Sequence, residues 1–119
     1  MKKHPPEGFF DGAIAPVILS QPEARKLFED QHVELVLVRL LPGESIAGHF
    51  NPLRVIFYVL EGEGNLSLSG RQIKLKPGQG IPVERNVMRA WHNHGNTPLR
   101  LLVIKELDTT VVVQKNANE

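Results

Sequence analysis

A chain of 119 residues carrying 14 Lys and Arg against 13 Asp and Glu, for a formal net charge of +1, is long enough for one hydrophobic core and too short for two. No block of like charge offers a surface for nucleic acid or anionic membrane, no apolar run approaches membrane-spanning length, and the absence of cysteine excludes thiol catalysis, thiolate metal sites and disulfides. Ten glycines and nine prolines punctuate the chain at the density of an all-β domain of short strands and turns.

Residues 1–12 read as a flexible lead. Met1-Lys2-Lys3-His4-Pro5-Pro6 is basic but runs into Glu7, Gly8 and Asp11 rather than an apolar secretory stretch, so a soluble, cytoplasmic protein is expected. Ile14 to Leu19 predicts a first strand, placed at a sheet edge by Pro16. Ser20-Gln21-Pro22-Glu23 is compatible with a short helical turn through Leu27; Lys26 to Phe28 is equally compatible with a strand pairing across the Glu29-Asp30-Gln31 turn. His32 to Leu41, HVELVLVRLL, is apolar at nearly every position, which predicts a strand covered on both faces.

From Pro42 the chain turns at Gly43, passes His49 and Asn51, breaks at Pro52 and enters a second apolar strand, Val55 to Leu60, before Gly62 and Gly64. Asn65 to Ser69 and Gln72 to Lys76 predict a hairpin turning at Gly70-Arg71. Val87 to Trp91 and Leu99 to Leu107 read as the last core strands. The tail from Thr109 opens with Thr-Thr-Val-Val-Val, which favours a terminal strand, and ends polar. The division expected is a lead over 1–12, one domain over 13–110 and a C-terminal strand or tail over 111–119.

The spacing Gly43, His49, Asn51, Val55, Gly62 resembles the first motif of the cupin superfamily, in which a Gly is followed by His-x-His, a Glu and a second Gly. Asn51 stands at the second His and Val55 at the Glu. A second cupin-like stretch runs from Gly78 to Asn93, with Pro98 beyond it; in that ungapped register Arg89 replaces the third metal-binding His and Glu84 the usual Pro. His92-x-x-x-Asn96 would imitate the motif's ending only with three inserted residues, at the expense of the strand over 97–103. The resemblance covers roughly Val33 to Leu107 and implies a double-stranded β-helix, the jelly-roll-like cupin barrel.

Period-two alternation in such a barrel turns Val55, Phe57 and Val59 inward with His49 and Asn51, and Arg89, Trp91 and Asn93 inward from the other sheet. Of the family's metal ligands only His49 remains. Val55 donates nothing and Arg89 is a fixed cation, so no resident metal and no other cofactor is expected. A guanidinium inside an apolar barrel needs a negative or carbonyl partner. Glu84 or Glu44 could neutralise it; alternatively His49, Asn51 and Arg89 form a polar cluster for a small anionic or sugar-like ligand, walled by Phe57, Val59 and Trp91. His49 is then also the candidate acid or base of a metal-free isomerase- or epimerase-like enzyme, while a metal-dependent oxygenase or isomerase would need an ion retained through His49. Tyr58 faces outward, and His92 and His94 fall on the outer face near Gly95. The outer apolar positions are covered either by residues 9–28 or by a second copy in a homodimer.

Overall fold

The computed structural model describes residues 4–107, which form ten strands: β1 (Val17–Ser20), β2 (Glu23–Glu29), β3 (Val33–Leu40), β4 (Ser45–His49), β5 (Val55–Glu61), β6 (Gly64–Leu68), β7 (Arg71–Leu75), β8 (Gly80–Val83), β9 (Arg89–His92) and β10 (Leu99–Glu106). Two antiparallel sheets face one another, a six-stranded one in the order β1-β2-β3-β10-β5-β8 and a four-stranded one in the order β4-β9-β6-β7. This is an all-β, jelly-roll-like sandwich with no helix among the described residues. None of them therefore supplies a helix long and apolar enough to cross a membrane.

β3, β10 and β5 run side by side through the six-stranded sheet, with Val36 opposite Val103 and Val103 opposite Phe57. Their β-branched and aromatic side chains suit a pleated surface filled on one side. Val38, Leu40, Val55, Val59, Leu99 and Leu101 are at most 6% exposed, and Leu66 and Trp91 meet them from the four-stranded sheet. Each such side chain removed from water contributes about 1.5–3 kcal/mol, which makes this seam the main source of cohesion. Gly64 is required where the sheets approach: a Cβ there would sit 2.6 Å from Leu99 Cδ2 and 2.7 Å from Trp91 Cζ3.

Local chemistry moves several boundaries. The first strand begins at Val17, after Pro16, and lies at the sheet edge. The 23–29 segment is extended rather than helical, because it gains a full ladder to β3, from Glu23 opposite Arg39 to Glu29 opposite Glu34. The β6–β7 turn is Ser69-Gly70, one residue earlier than Gly70-Arg71: φ is positive at both (47° and 85°) and Leu68 pairs with Arg71, the geometry of a two-residue turn matched to strand twist. β9 starts at Arg89 rather than Val87, since Asn86 (φ 61°) still belongs to the preceding loop. β8 had no counterpart among the expected strands; its Pro82 is tolerated because β8 is the other edge of the sheet.

Part of the lead packs. Phe10 and Phe28 have ring centroids 6.0 Å apart, and a Cβ on Gly12 would lie 3.2 Å from Leu37 Cδ2. Residues around 10–12 thus cover the β2–β3 end of the outer face, whereas Tyr58 and Leu60 on β5 remain 40% and 38% exposed. The strand expected over the C-terminal tail lies outside the described residues.

Candidate functional site

Position 49 faces the barrel because of an irregularity in β4. Ile46 pairs with Trp91 and His49 with Arg89, so three steps along β4 answer two along β9. This β-bulge at Ala47 and Gly48 gives His49 the same inward facing as Ile46, so its place rests on the bulge rather than on the strict alternation expected from the sequence. His49 is exposed, and its Nδ1 lies 3.0 Å from the Ala47 carbonyl oxygen. A carbonyl only accepts, so Nδ1 carries the proton and a neutral ring keeps its lone pair on Nε2.

Directly across the ladder, Arg89 is 1% exposed. Its Nε donates to the Val87 carbonyl at 3.1 Å and its Nη2 to the Glu84 carbonyl at 2.9 Å. Nη1 has no partner. The two carboxylates expected as candidates to neutralise it are engaged elsewhere: Glu84 accepts from Arg54 Nε at 2.7 Å, and Glu44 from the Leu41 amide at 2.7 Å. Among the described residues Arg89 has no acidic partner, and burial alone pushes its pKa below the ordinary arginine value.

Two residues on, Trp91 is also 1% exposed. Its ring meets Phe57 edge-on, with centroids 5.3 Å apart at 82°. The indole Nε1–H has no partner among the described residues. Phe57, Arg89, Trp91, His49, Asn51 and Ile46 line a cavity of about 230 Å³, completed by the aliphatic chains of Val36, Val38, Val55 and Val103 and by Ile18 and Leu19 of β1. Arg89 and Trp91 are its most buried members; Ile18 and Leu19, 50% and 51% exposed, are at its mouth. Lys105 also borders it and lies 3.7 Å from Glu34, which Lys26 approaches at 3.4 Å while meeting Glu29 at 2.5 Å.

The structure therefore brings His49, Asn51, Phe57, Arg89 and Trp91 around one space. Asn51 takes part from the loop after β4, its Oδ1 accepting from the Leu53 amide at 2.9 Å and its carbonyl from Asn86 N at 2.8 Å. Val59, read as a cavity wall, is not one. It points inward but sits one layer deeper, 0% exposed, where Leu40, Leu66, Leu99 and Leu101 fill the barrel. Asn93 is inward and saturated: Nδ2 donates to Leu40 and Thr97 carbonyls at 2.9 Å and Oδ1 accepts from Gly95 N. It secures a turn. His92 and His94 lie away from the cavity, stacked at 5.2 Å, with His92 Nδ1 2.6 Å from Ser45 Oγ.

Sequence reading missed the cavity's β1 wall and the unpartnered indole N–H of Trp91. Ile46 was legible in principle through its cross-strand relation to Trp91, but the β1 contribution depends on tertiary closure that periodicity does not encode. As for the metal that a barrel of this shape implies, the four motif positions hold one imidazole, one amide, one hydrocarbon and one cation. No group of three or more His, Cys, Asp or Glu comes together among the described residues, and the buried guanidinium would repel a cation. These residues do not fit a divalent ion.

A family model for the cupin domain matches residues 36–105, more than half of the chain. Among curated proteins, the tetracenomycin polyketide synthase protein TcmJ of Streptomyces glaucescens is 29% identical over 66 residues, covering 55% of this chain and 44% of that protein, so the chain spans less than half of this relative. The fold is similar to that of an RmlC-like cupin from Shewanella frigidimarina, with a TM-score of 0.76, 19% identity and coverage of 87% of this chain and 93% of the other. It is similar also to the polyketide cyclase RemF from Streptomyces resistomycificus, with a TM-score of 0.69, 23% identity and coverage of 91% and 81%.

Proposed function

The chain belongs to the cupin family, and from that premise we propose that its barrel binds a small anionic or sugar-like molecule without a bound metal. The observation that carries this is Arg89: 1% exposed, with Nη1 unpartnered and no carboxylate beside it among the described residues. An uncompensated buried charge costs several kcal/mol, and a guest that supplies the missing acceptor converts that cost into affinity. His49 and Asn51 add polar contacts nearer the mouth, and Phe57 and Trp91 supply apolar walls.

A second reading is favoured by one contact. The Ala47 carbonyl fixes the His49 ring with Nε2 as the free nitrogen, which is what a general base or acid requires. Arg89 Nη1 would then stabilise negative charge developing on the guest, as in a metal-free isomerase- or epimerase-like reaction. RemF is a polyketide cyclase on the same fold, so a barrel of this shape accommodates enzymes as well as binders.

Thermal-shift screening of small carboxylates, phosphates and sugars tests the common premise. Binders are expected to raise the melting temperature of the native protein and leave Arg89→Met unmoved; equal stabilisation of both would dismiss the site. If the protein is an enzyme, His49→Ala loses turnover and keeps affinity. The same proposal places a second copy over the outer face around Tyr58 and Leu60, and light scattering that gives a monomer mass at micromolar concentration would remove that part of it.

A further inference from the structure

Resting on the reading that a second copy covers the outer face of the six-stranded sheet, we infer that the two copies meet in one defined arrangement. A two-fold axis crosses the strands at the level of Val103, so that each end of one face lies over the opposite end of the other. The middle of that face is apolar. Ile56, Tyr58 and Leu60 of β5, Leu102 and Ile104 of β10 and Pro82 of β8 alternate with buried residues and so point away from the core. None of the six is buried, and Tyr58 and Leu60 are 40% and 38% exposed. The N-terminal lead packs on the β2–β3 side, through Phe10 and Gly12, which leaves this strip uncovered.

Its two ends carry opposite surplus charge. At one end the strand registers set Glu23, Arg39, Arg100 and Glu61 in a row across β2, β3, β10 and β5. Arg25 joins them by meeting Glu23 at 3.3 Å, Arg100 meets Glu61 at 2.9 Å, and Arg39 reaches Glu23 only at 3.7 Å. This cluster has three guanidiniums for two carboxylates. At the other end Arg54 is held between Glu84 and Glu106, and the Arg54 carbonyl accepts from the Glu106 amide at 3.0 Å. That cluster has one guanidinium for two carboxylates.

The outward residues of β10 are therefore Arg100, Leu102, Ile104 and Glu106, a pattern complementary to itself when turned about Val103. The turn lays Arg100 over Glu106 of the second copy and Leu102 over its Ile104. Because Val103 is level with Phe57, the same turn lays Glu61 over Arg54 of the second copy and Tyr58 over its Ile56. Every contact occurs twice, as in any isologous interface. A two-fold parallel to the strands would instead bring like ends together, surplus charge against like surplus charge. Packed sheet faces diverge by about 30°. Three residues from the axis, roughly 10 Å along the strand, that rotation displaces the charged ends by about 5 Å, within the reach of an arginine side chain.

Light scattering over a dilution series tests the arrangement. The native chain is expected to be a dimer at micromolar concentration. Arg100→Glu and Glu106→Arg should each weaken it about tenfold or more, because each sets like charges opposite one another twice. Mixing the two variants should restore the dimer, since residues 100 and 106 of the mixed pair again carry opposite signs on both sides. Within one chain these positions are six residues apart on a strand, roughly 20 Å, so a variant that merely lost stability would not be rescued by mixing. The chain has no cysteine, so Arg100→Cys and Glu106→Cys supply a second readout free of charge reversal. A bismaleimide spanning about the 10 Å between packed sheets should link them into a covalent dimer when they are mixed and not when either is alone. Tyr58→Lys, in the apolar middle, should give a monomer. A Tyr58→Lys monomer together with no rescue and no mixed cross-link overturns this arrangement and leaves the covered face standing. A native monomer, or a dimer indifferent to Tyr58→Lys and to both charge reversals, removes both.

Discussion

Replacing Arg89 by Met removes a charge while keeping a long side chain in the same slot, and the structure allows its effect on stability to be worked out. Two hydrogen bonds are lost, to the Val87 carbonyl at 3.1 Å and the Glu84 carbonyl at 2.9 Å. Bonds to a charged group contribute about 1.5–3 kcal/mol each. Glu84 is exposed and Val87 half-buried, so water can replace the donor and the lower figure applies, for a loss of about 3 kcal/mol. Against this stands relief from holding an unpaired cation at 1% exposure, several kcal/mol by itself. The expected outcome is a ligand-free variant between equal to and about 2 kcal/mol more stable than the native chain, where Trp91→Ala, at the same exposure, should lose about 3–5 kcal/mol. Urea unfolding followed by far-ultraviolet circular dichroism measures both, since Trp91→Ala removes the chain's single tryptophan, with equal m-values required for the comparison. In a saturating concentration of an anion identified by the thermal-shift screen the order should reverse, since a ligand at a hundred times its Kd adds about 2.7 kcal/mol to the native protein alone. A loss above about 2 kcal/mol in ligand-free Arg89→Met would mean that the guanidinium is already compensated, and the argument for a guest would fail.

Further outcomes can be checked independently. Protein purified without a metal-affinity tag should carry no stoichiometric Fe, Mn, Ni or Zn, whereas the triple change Asn51→His, Val55→Glu and Arg89→His should acquire a divalent ion; metal in the native chain contradicts the reading of the donor set. Gly62→Ala should cost about 2–4 kcal/mol, because φ is 75° and the new Cβ would meet the Pro98 carbonyl oxygen at 2.3 Å, while Gly78→Ala, at φ 85° in open space, should cost about 1 kcal/mol; equal losses would refute the steric part. Asp30 accepts from the Val33 and His32 amides at 2.9 and 2.8 Å, the Val33 bond being the larger cause of its lowered pKa. A folded-state pKa below the unfolded value of about 4 means stability that is present above that pH and lost as pH falls through the folded value. The deficit of Asp30→Asn relative to the native chain should therefore shrink below about pH 4, and a gap independent of pH between 7 and 3 would show that the charge is irrelevant.

Much of this molecule was legible because its core strands carry their own parity. Val55, Phe57 and Val59 share one face of their strand and Ile56, Tyr58 and Leu60 the other; because all six are apolar the sequence reads as covered on both faces, whereas the first set is at most 6% exposed and Tyr58 and Leu60 are 40% and 38% exposed. Arg89 and Trp91 were placed inward by the same rule once the Gly78 to Pro98 register was set. What escaped was whatever depends on depth or on distant closure. Alternation assigns Val59 to the correct face but not to a layer, and so could not distinguish cavity wall from filled core. Nor could it show that the exposed edge strand β1 would supply Ile18 and Leu19. The fate of the Glu84 and Glu44 carboxylates was open in the sequence, because which cation or amide captures a surface carboxylate is decided by loop geometry.

The bulge in β4 makes strand length, rather than residue identity alone, the determinant of whether an imidazole reaches the barrel. Deleting either Ala47 or Gly48 would leave every remaining amino acid unchanged and still swing the histidine to the opposite face, disconnecting it from the arginine. Evolution or an engineer could therefore silence and revive this centre by single-codon indels, and sequence comparisons scoring only matched columns would overlook such events.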